Sequence, residues 1–81
     1  MIKIYTIPNC DRCDEAKQIL KERNIEYQEF NLKEKENRDI RAHYRSLGAT
    51  SAPVIVCQNF VIVNYSKEAL IKLLTYDYEG V

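Results

Sequence analysis

The 81 residues carry no surplus of either charge: lysine plus arginine number 12, aspartate plus glutamate 12, and the formal net charge is zero. A grip on nucleic acid needs a basic surface, and so does docking on an anionic membrane, so the balance speaks against both. Long apolar runs are also missing. Nothing approaches the ~20 apolar residues of a membrane-spanning helix. The opening Met1-Ile2-Lys3-Ile4-Tyr5 lacks the apolar stretch of a signal peptide. Cysteines number only three, an odd count and too few for a secreted disulfide framework. Repeats, low-complexity tracts and linker-like segments are absent. The expectation is one small domain over residues 1–81, monomeric and cytoplasmic, with no nucleic-acid or membrane partner. In a reducing compartment a Cys-x-x-Cys pair is catalytic or metal-binding rather than structural.

What is present is a compact alternation of apolar patterns. Hydrophobic residues make up 46%, enough for a core. Ile2 to Ile7 reads as a strand covered on both faces, ended by Pro8 and Asn9. Asp11 to Arg23 turns helical, with Cys13, Ala16, Ile19, Leu20 and Arg23 on one stripe and Asn24 as its stop. Ile25 to Leu32 reads as a second strand, and strand–helix–strand over this length makes a right-handed parallel unit. A second helix is expected from Asn37 to Leu47, with Ile40, Tyr44 and Leu47 as its apolar stripe and Gly48 at its end. Val54–Cys57 and Phe60–Val63 read as an antiparallel hairpin turned at Gln58-Asn59. Ser66 looks like the cap of a last helix whose buried stripe is Leu70, Ile71, Leu73 and Leu74, followed by a loose tail from about residue 75.

The chemistry centres on Cys10 and Cys13. Helical spacing of i and i+3 brings the two Cβ atoms to roughly 5–6 Å, close to disulfide reach. The unpaired amides of a helix start favour a thiolate, which is the reactive form. The upstream sulfur lies nearer those amides, so Cys10 is the expected nucleophile and Cys13 its resolving partner. Cys57, in an apolar strand, reads as an inert buried thiol. His43, the single histidine, reads as solvated. A zinc site from Cys10, Cys13, His43 and Cys57 would need four side chains to converge, three of them from elements with no spacing signature between them. Tyr5 and Tyr65 are candidates for the wall of a groove beside the dithiol, with core and sheet packing as the favoured reading of each. Arg41, Arg45 and Lys67 are candidate cations for a glutathione carboxylate or an acidic protein tail, with a solvated helix face as the better-supported reading.

The order β-α-β-α-β-β-α with the dithiol after the first strand, the stretch Tyr5-Thr6-x-x-x-Cys10-x-x-Cys13-x-x-Ala16-Lys17, and Ser51-Ala52-Pro53-Val54-Ile55-Val56 together resemble the glutaredoxins. The resemblance runs roughly from Ile2 to Leu74. It implies an α/β thioredoxin-like fold, a central mixed four-stranded sheet flanked by three helices. It implies a cis peptide bond before Pro53 and a loop in which Ser51 and Ala52 offer backbone groups to a bound thiol partner, with Asn64 and Tyr65 nearby on the substrate side.

Glutathione-using glutaredoxins carry a lysine in the loop before the first cysteine, where this chain has Ile7. They carry a Gly-Gly pair and acidic residues after the last strand, where it has Val63, Asn64, Ser66 and Lys67. Losing these weakens both ends of a grip on glutathione. The resemblance therefore points to the NrdH-redoxins, thiol–disulfide oxidoreductases reduced by thioredoxin reductase and feeding electrons to ribonucleotide reductase. The alternatives are a glutathione-dependent glutaredoxin acting on mixed disulfides, and a non-enzymatic metal-binding or Spx-like adaptor domain. No prosthetic group is implied, since the dithiol carries two electrons, with glutathione as the other candidate reductant. Asp11 and Asp14 should partly cancel the helix-terminus effect and Arg12 offset them. A milder depression of the Cys10 pKa would follow, and a couple nearer the ~−270 mV of thioredoxin than the ~−200 to −230 mV of glutaredoxins; the equal alternative is that these charges are solvated, screened and contribute little.

Overall fold

A computed structural model describes residues 2–58 and 60–78. The chain order is β1 (Ile2–Thr6), α1 (Asp11–Glu22), β2 (Tyr27–Asn31), a 3-10 turn at Lys35–Asn37, α2 (Arg38–Ser46), β3 (Val54–Cys57), β4 (Phe60–Ile62) and α3 (Lys67–Lys72), which runs on into a π-helical turn at Leu73–Tyr78. The strands form one sheet in the order β2-β1-β3-β4. β1 runs parallel to β2, pairing Ile4 with Glu29, and antiparallel to β3, pairing Ile4 with Ile55. β3 and β4 close the hairpin. This is the thioredoxin-like α/β plan with its mixed four-stranded sheet and three helices.

Strand alternation divides the core. Ile2, Ile4 and Ile55 face Ala16, Ile19 and Leu20 of α1 and Leu70 and Leu74 beyond the hairpin. Tyr5 and Val54 face the other way, toward Leu32, Ile40 and Tyr44. Each fully buried Leu or Ile contributes roughly 1.5–3 kcal/mol of transfer free energy. The strand expected to be covered on both faces is covered only in part. Lys3, on the Tyr5 face, is exposed, because the α2-side cluster gathers round Tyr5 two residues further on.

Both long helices end the same way. Asn24 takes a left-handed φ of 56°, with its amide on the Lys21 carbonyl and that of Ile25 on Leu20. Gly48 takes φ 99°, with its amide on Arg45 and that of Ala49 on Tyr44. Each is a Schellman ending, Ile25 and Leu20 sharing one core cluster and Ala49 and Tyr44 both packing against the other. This geometry corrects one expectation. Leu47 becomes the cap residue rather than the third member of the α2 stripe, and it is 54% exposed.

One boundary also shifts. The last helix does not dissolve at residue 75 but stays wound to Tyr78, with Leu73 and Leu74 buried, Ile71 only half-buried and Tyr76 exposed. The expected tail beyond residue 78 and Asn59 of the hairpin turn lie outside the described residues. Ser66 caps α3 as expected, its Oγ accepting the Ala69 amide at 3.1 Å.

Candidate functional site

The site is built where β1 hands over to α1. Asn9 turns the chain with φ 56°, and Cys10 follows in an extended conformation as the N-cap. A capping side chain normally offers oxygen to the first amides. Here sulfur does so: Cys10 Sγ accepts the Cys13 backbone N–H at 3.1 Å. Cys10 is half-buried and Cys13 is 1% exposed, and both are free cysteines. Burial, then the hydrogen bond that the Cys13 thiol gives to Cys10, pushes Cys13 up to about 12. The two sulfurs are thus unequal. One sits on free helix amides and reaches the surface; the other is held as a thiol beneath it.

The loop before β3 closes over the pair. The Ala52–Pro53 bond is cis, Ala52 and Pro53 are buried, and Cys10 Sγ lies 3.9 Å from the Ala52 carbonyl oxygen. Ser51, beside them, is exposed. The structure therefore brings the Ala52–Pro53 step to Cys10, with Ser51 next to it in the chain.

Three further candidates are placed differently. Tyr5 is 6% exposed and stacks on Phe30, with Tyr44 tilted against it, so it is core and not groove wall. Tyr65 is 5% exposed and packs in the α1–α3 core, its hydroxyl donating to Glu15 Oε1 at 2.7 Å. Large amphipathic rings in so small a domain are needed inside, and each hydroxyl finds a polar rim. Asn64, at φ 54°, does not offer its side chain to a partner. Its Oδ1 accepts the Thr50 amide at 2.9 Å and the Thr50 hydroxyl at 3.0 Å, and its Nδ2 donates to the Gly48 carbonyl at 3.0 Å. It clasps the stem of the loop that carries Pro53.

Asp11, Arg12 and Asp14 are exposed on the first turns of α1. Asp14 lies 3.7 Å from Lys17, whose ammonium also donates to Glu29 Oε2 at 3.1 Å. The Thr6 hydroxyl donates to the same Glu29 oxygen at 2.8 Å. Burial works to raise the Glu29 carboxyl, but the bonds from Thr6 and Lys17 outweigh it and hold it below its ordinary value. The Glu29 bond raises the Lys17 ammonium in turn. Sequence reasoning missed this triad. Lys17 stands one helical turn beyond Cys13 and was legible, but its link to Thr6 and Glu29 depends on the β1–β2 register, which no local pattern reveals.

Two grooves flank the dithiol. One, of about 410 Å³, is lined by Ile7, Ala52, Ser51 and Tyr44 with Lys33, Arg41 and Arg45. The other, of about 450 Å³, contains Cys10 and Ile7 with Asp14, Lys17, Glu29 and Glu34. Arg41 and Arg45 thus lie beside the site, whereas Lys67 lines a separate hollow with Glu15, Gln18 and Glu22. Cys57 is half-buried against the core rather than sealed in it. His43 is exposed on α2, its ring edge-on to Tyr44 at 5.1 Å. Among the described residues no group of three or more His, Cys, Asp or Glu is arranged to hold a metal ion. Among them, too, no helix is long and apolar enough to cross a membrane.

The same arrangement recurs in known proteins. The glutaredoxin family model matches residues 2–62. A glutaredoxin-like 8.6 kDa protein from the rubredoxin operon of Clostridium pasteurianum, itself uncharacterized, is 34% identical over 76 residues, covering 91% of this chain and 97% of that one. The crystal structure of the thioredoxin-like protein BC3987 superposes with a TM-score of 0.75 at 32% identity, over 91% of this chain and 100% of that one. The NrdH-redoxin of Escherichia coli superposes with a TM-score of 0.76 at 19% identity, over 89% and 92% of the two chains, a likeness of fold. The family model spans most of the chain, including Cys10, Cys13 and Pro53, and the chain belongs to the glutaredoxin family.

Proposed function

We propose that the chain is a thiol–disulfide oxidoreductase that reduces protein disulfides through Cys10 and Cys13, acting as a monomer in the cytoplasm. We further propose an NrdH-type role, with thioredoxin reductase as electron source and ribonucleotide reductase as the leading substrate. The observation that carries the activity is the division between the sulfurs. Cys10 Sγ is exposed enough to attack and already holds the Cys13 amide, while burial keeps Cys13 a thiol until it is needed. The Cys10 thiolate attacks a substrate disulfide, forming one S–S bond as another breaks, and one substrate thiolate leaves. Cys13 then gives up its proton and attacks Cys10, the intramolecular disulfide forms, and the second substrate thiolate leaves and is protonated. Two electrons pass from the dithiol to the substrate, with no prosthetic group.

Ile7 and Lys67 favour the NrdH branch. Ile7 lines both grooves without charge, and Lys67 starts α3 where a glutathione user carries acid. The second reading, glutathione as reductant, draws on Arg41 and Arg45 beside Ala52, which could receive a glutathione carboxylate. Oxidised protein offered NADPH with thioredoxin reductase, or NADPH with glutathione and its reductase, separates the two. We expect recycling by the former and a potential nearer ~−270 mV than ~−200 mV. Failure of dithiothreitol-charged protein to reduce insulin would overturn the enzymatic reading.

A further inference from the structure

The two grooves beside Cys10 carry opposite charge. The groove on the α2 side presents Lys33, Arg41 and Arg45 over an apolar floor of Ile7, Leu32, Tyr44 and Val54. Among the described residues none of these three cations has a carboxylate within ion-pair distance. The groove on the α1–β2 side presents Asp14, Glu29 and Glu34, with Lys17 as its single cation, already spent on Glu29 and Asp14. Glu36 adds to this side. It shares a hydrogen bond with Glu34 and raises that carboxyl above its ordinary value, a mark of crowded negative charge.

Three features turn this pairing into an argument about a partner. The boundary is sharp: Lys33 lines one groove and Glu34, the next residue, lines the other. The reactive sulfur is on it: Cys10 belongs to the acidic groove and lies 3.9 Å from the Ala52 carbonyl, which lines the basic one. Ile7 is common to both, so no charged wall separates them. The chain as a whole has zero net charge, so this local polarity acts on orientation and not on general attraction.

Resting on the protein-disulfide reading above, we propose that the partner segment is selected by the order of its charges. Acidic residues on one side of its disulfide cysteine seat against Lys33, Arg41 and Arg45, and basic residues on the other side seat against Asp14, Glu29 and Glu34. A segment with the same residues in the opposite order meets like charge on both flanks.

The test uses three synthetic peptides, each as its own symmetrical disulfide. One carries Glu-Glu before the cysteine and Lys-Lys after it, the second has the pairs exchanged, and the third has serine flanks. The first two have identical composition and zero net charge from their flanks, so only order differs. Dithiothreitol-charged protein, freed of excess reductant, is mixed with each, and peptide thiol is measured after acid quench. One order is expected to react at least about fivefold faster than the other at low ionic strength, with serine flanks between them, each rim pair contributing a modest factor. The gap should close in 0.5 M salt.

In the double variant Arg41→Glu/Arg45→Glu and, independently, in Glu34→Lys, the preference should shrink or invert. Equal rates for the two charged orders, or a preference that survives both variants, would overturn the proposal. So would a loss in Arg41→Glu/Arg45→Glu confined to glutathione disulfide, since the basic groove would then serve that small molecule instead. No reaction with any of the three peptides, serine flanks included, would strike at the oxidoreductase reading itself and not at charge order.

Discussion

Asn64 is the residue whose removal tests the site's architecture most directly. It follows β4, yet its three hydrogen bonds all go to Gly48 and Thr50, on the far side of the hairpin and at the stem of the loop that holds Pro53. Each such bond is worth roughly 0.5–1.5 kcal/mol net, and exposed ones lie at the low end because water can replace them. Asn64→Gly accepts the left-handed backbone and deletes all three, so a loss of about 1–2 kcal/mol is expected. In a domain of this size that lowers the melting temperature by about 5–15 °C. Asn64→Asp keeps the oxygen that accepts from Thr50 and loses only the bond to the Gly48 carbonyl, one of the three, so its loss should be about a third as large. Hydrogen exchange supplies the local readout. The Thr50 amide should exchange faster in the glycine variant and stay protected in the aspartate variant. A glycine variant as stable as the parent, or an unchanged Thr50 amide in it, would refute the clasp.

Other expectations follow from the same geometry. Cys10→Ser should abolish exchange, while Cys13→Ser should still take up substrate and stall as the mixed disulfide, seen by mass. In the parent chain, where burial holds Cys13 as a thiol, its attack on the mixed disulfide at Cys10 should quicken about tenfold per pH unit between 7 and 9 in stopped-flow traces, and a flat profile would contradict it. Glu29 is held below its ordinary 4.5, so its stabilising contribution is complete above that value and is lost as pH falls through the lower, folded one. Lys17, raised above 10.5, contributes fully below that value and loses its contribution as pH rises through its folded one. Urea midpoints for Glu29→Gln should therefore show a smaller acid drop than the parent. Tyr65→Phe removes the 2.7 Å bond to Glu15 and should cost about 1 kcal/mol in the same titration.

Periodicity and capping residues made most of the fold legible. Asn24 and Gly48 marked both helix ends because each supplies a left-handed residue at low cost, and Ser66 marked a start because its hydroxyl reaches an amide. The dithiol was legible because two cysteines at helical spacing after a strand have few other uses. What failed were inferences about direction and register. Leu47 has the right spacing for burial but sits one residue past the last full turn of α2. For Tyr5 and Tyr65 the favoured core packing holds, their rings turning inward, and it is the groove-wall alternative that falls. The Thr6–Glu29–Lys17 triad and the Asn64 clasp join residues far apart in the chain, and only a folded sheet brings them within hydrogen-bond reach.

The β3–β4 hairpin leaves the reactive end at Pro53 and turns back beyond Cys57. Four residues of extended chain at about 3.3 Å each put the turn roughly 13 Å from the loop that meets Cys10. The molecule thus has a quiet pole opposite its working one. A fluorophore or an affinity handle grafted beside Gln58 would report on encounters at the sulfurs without standing in their way.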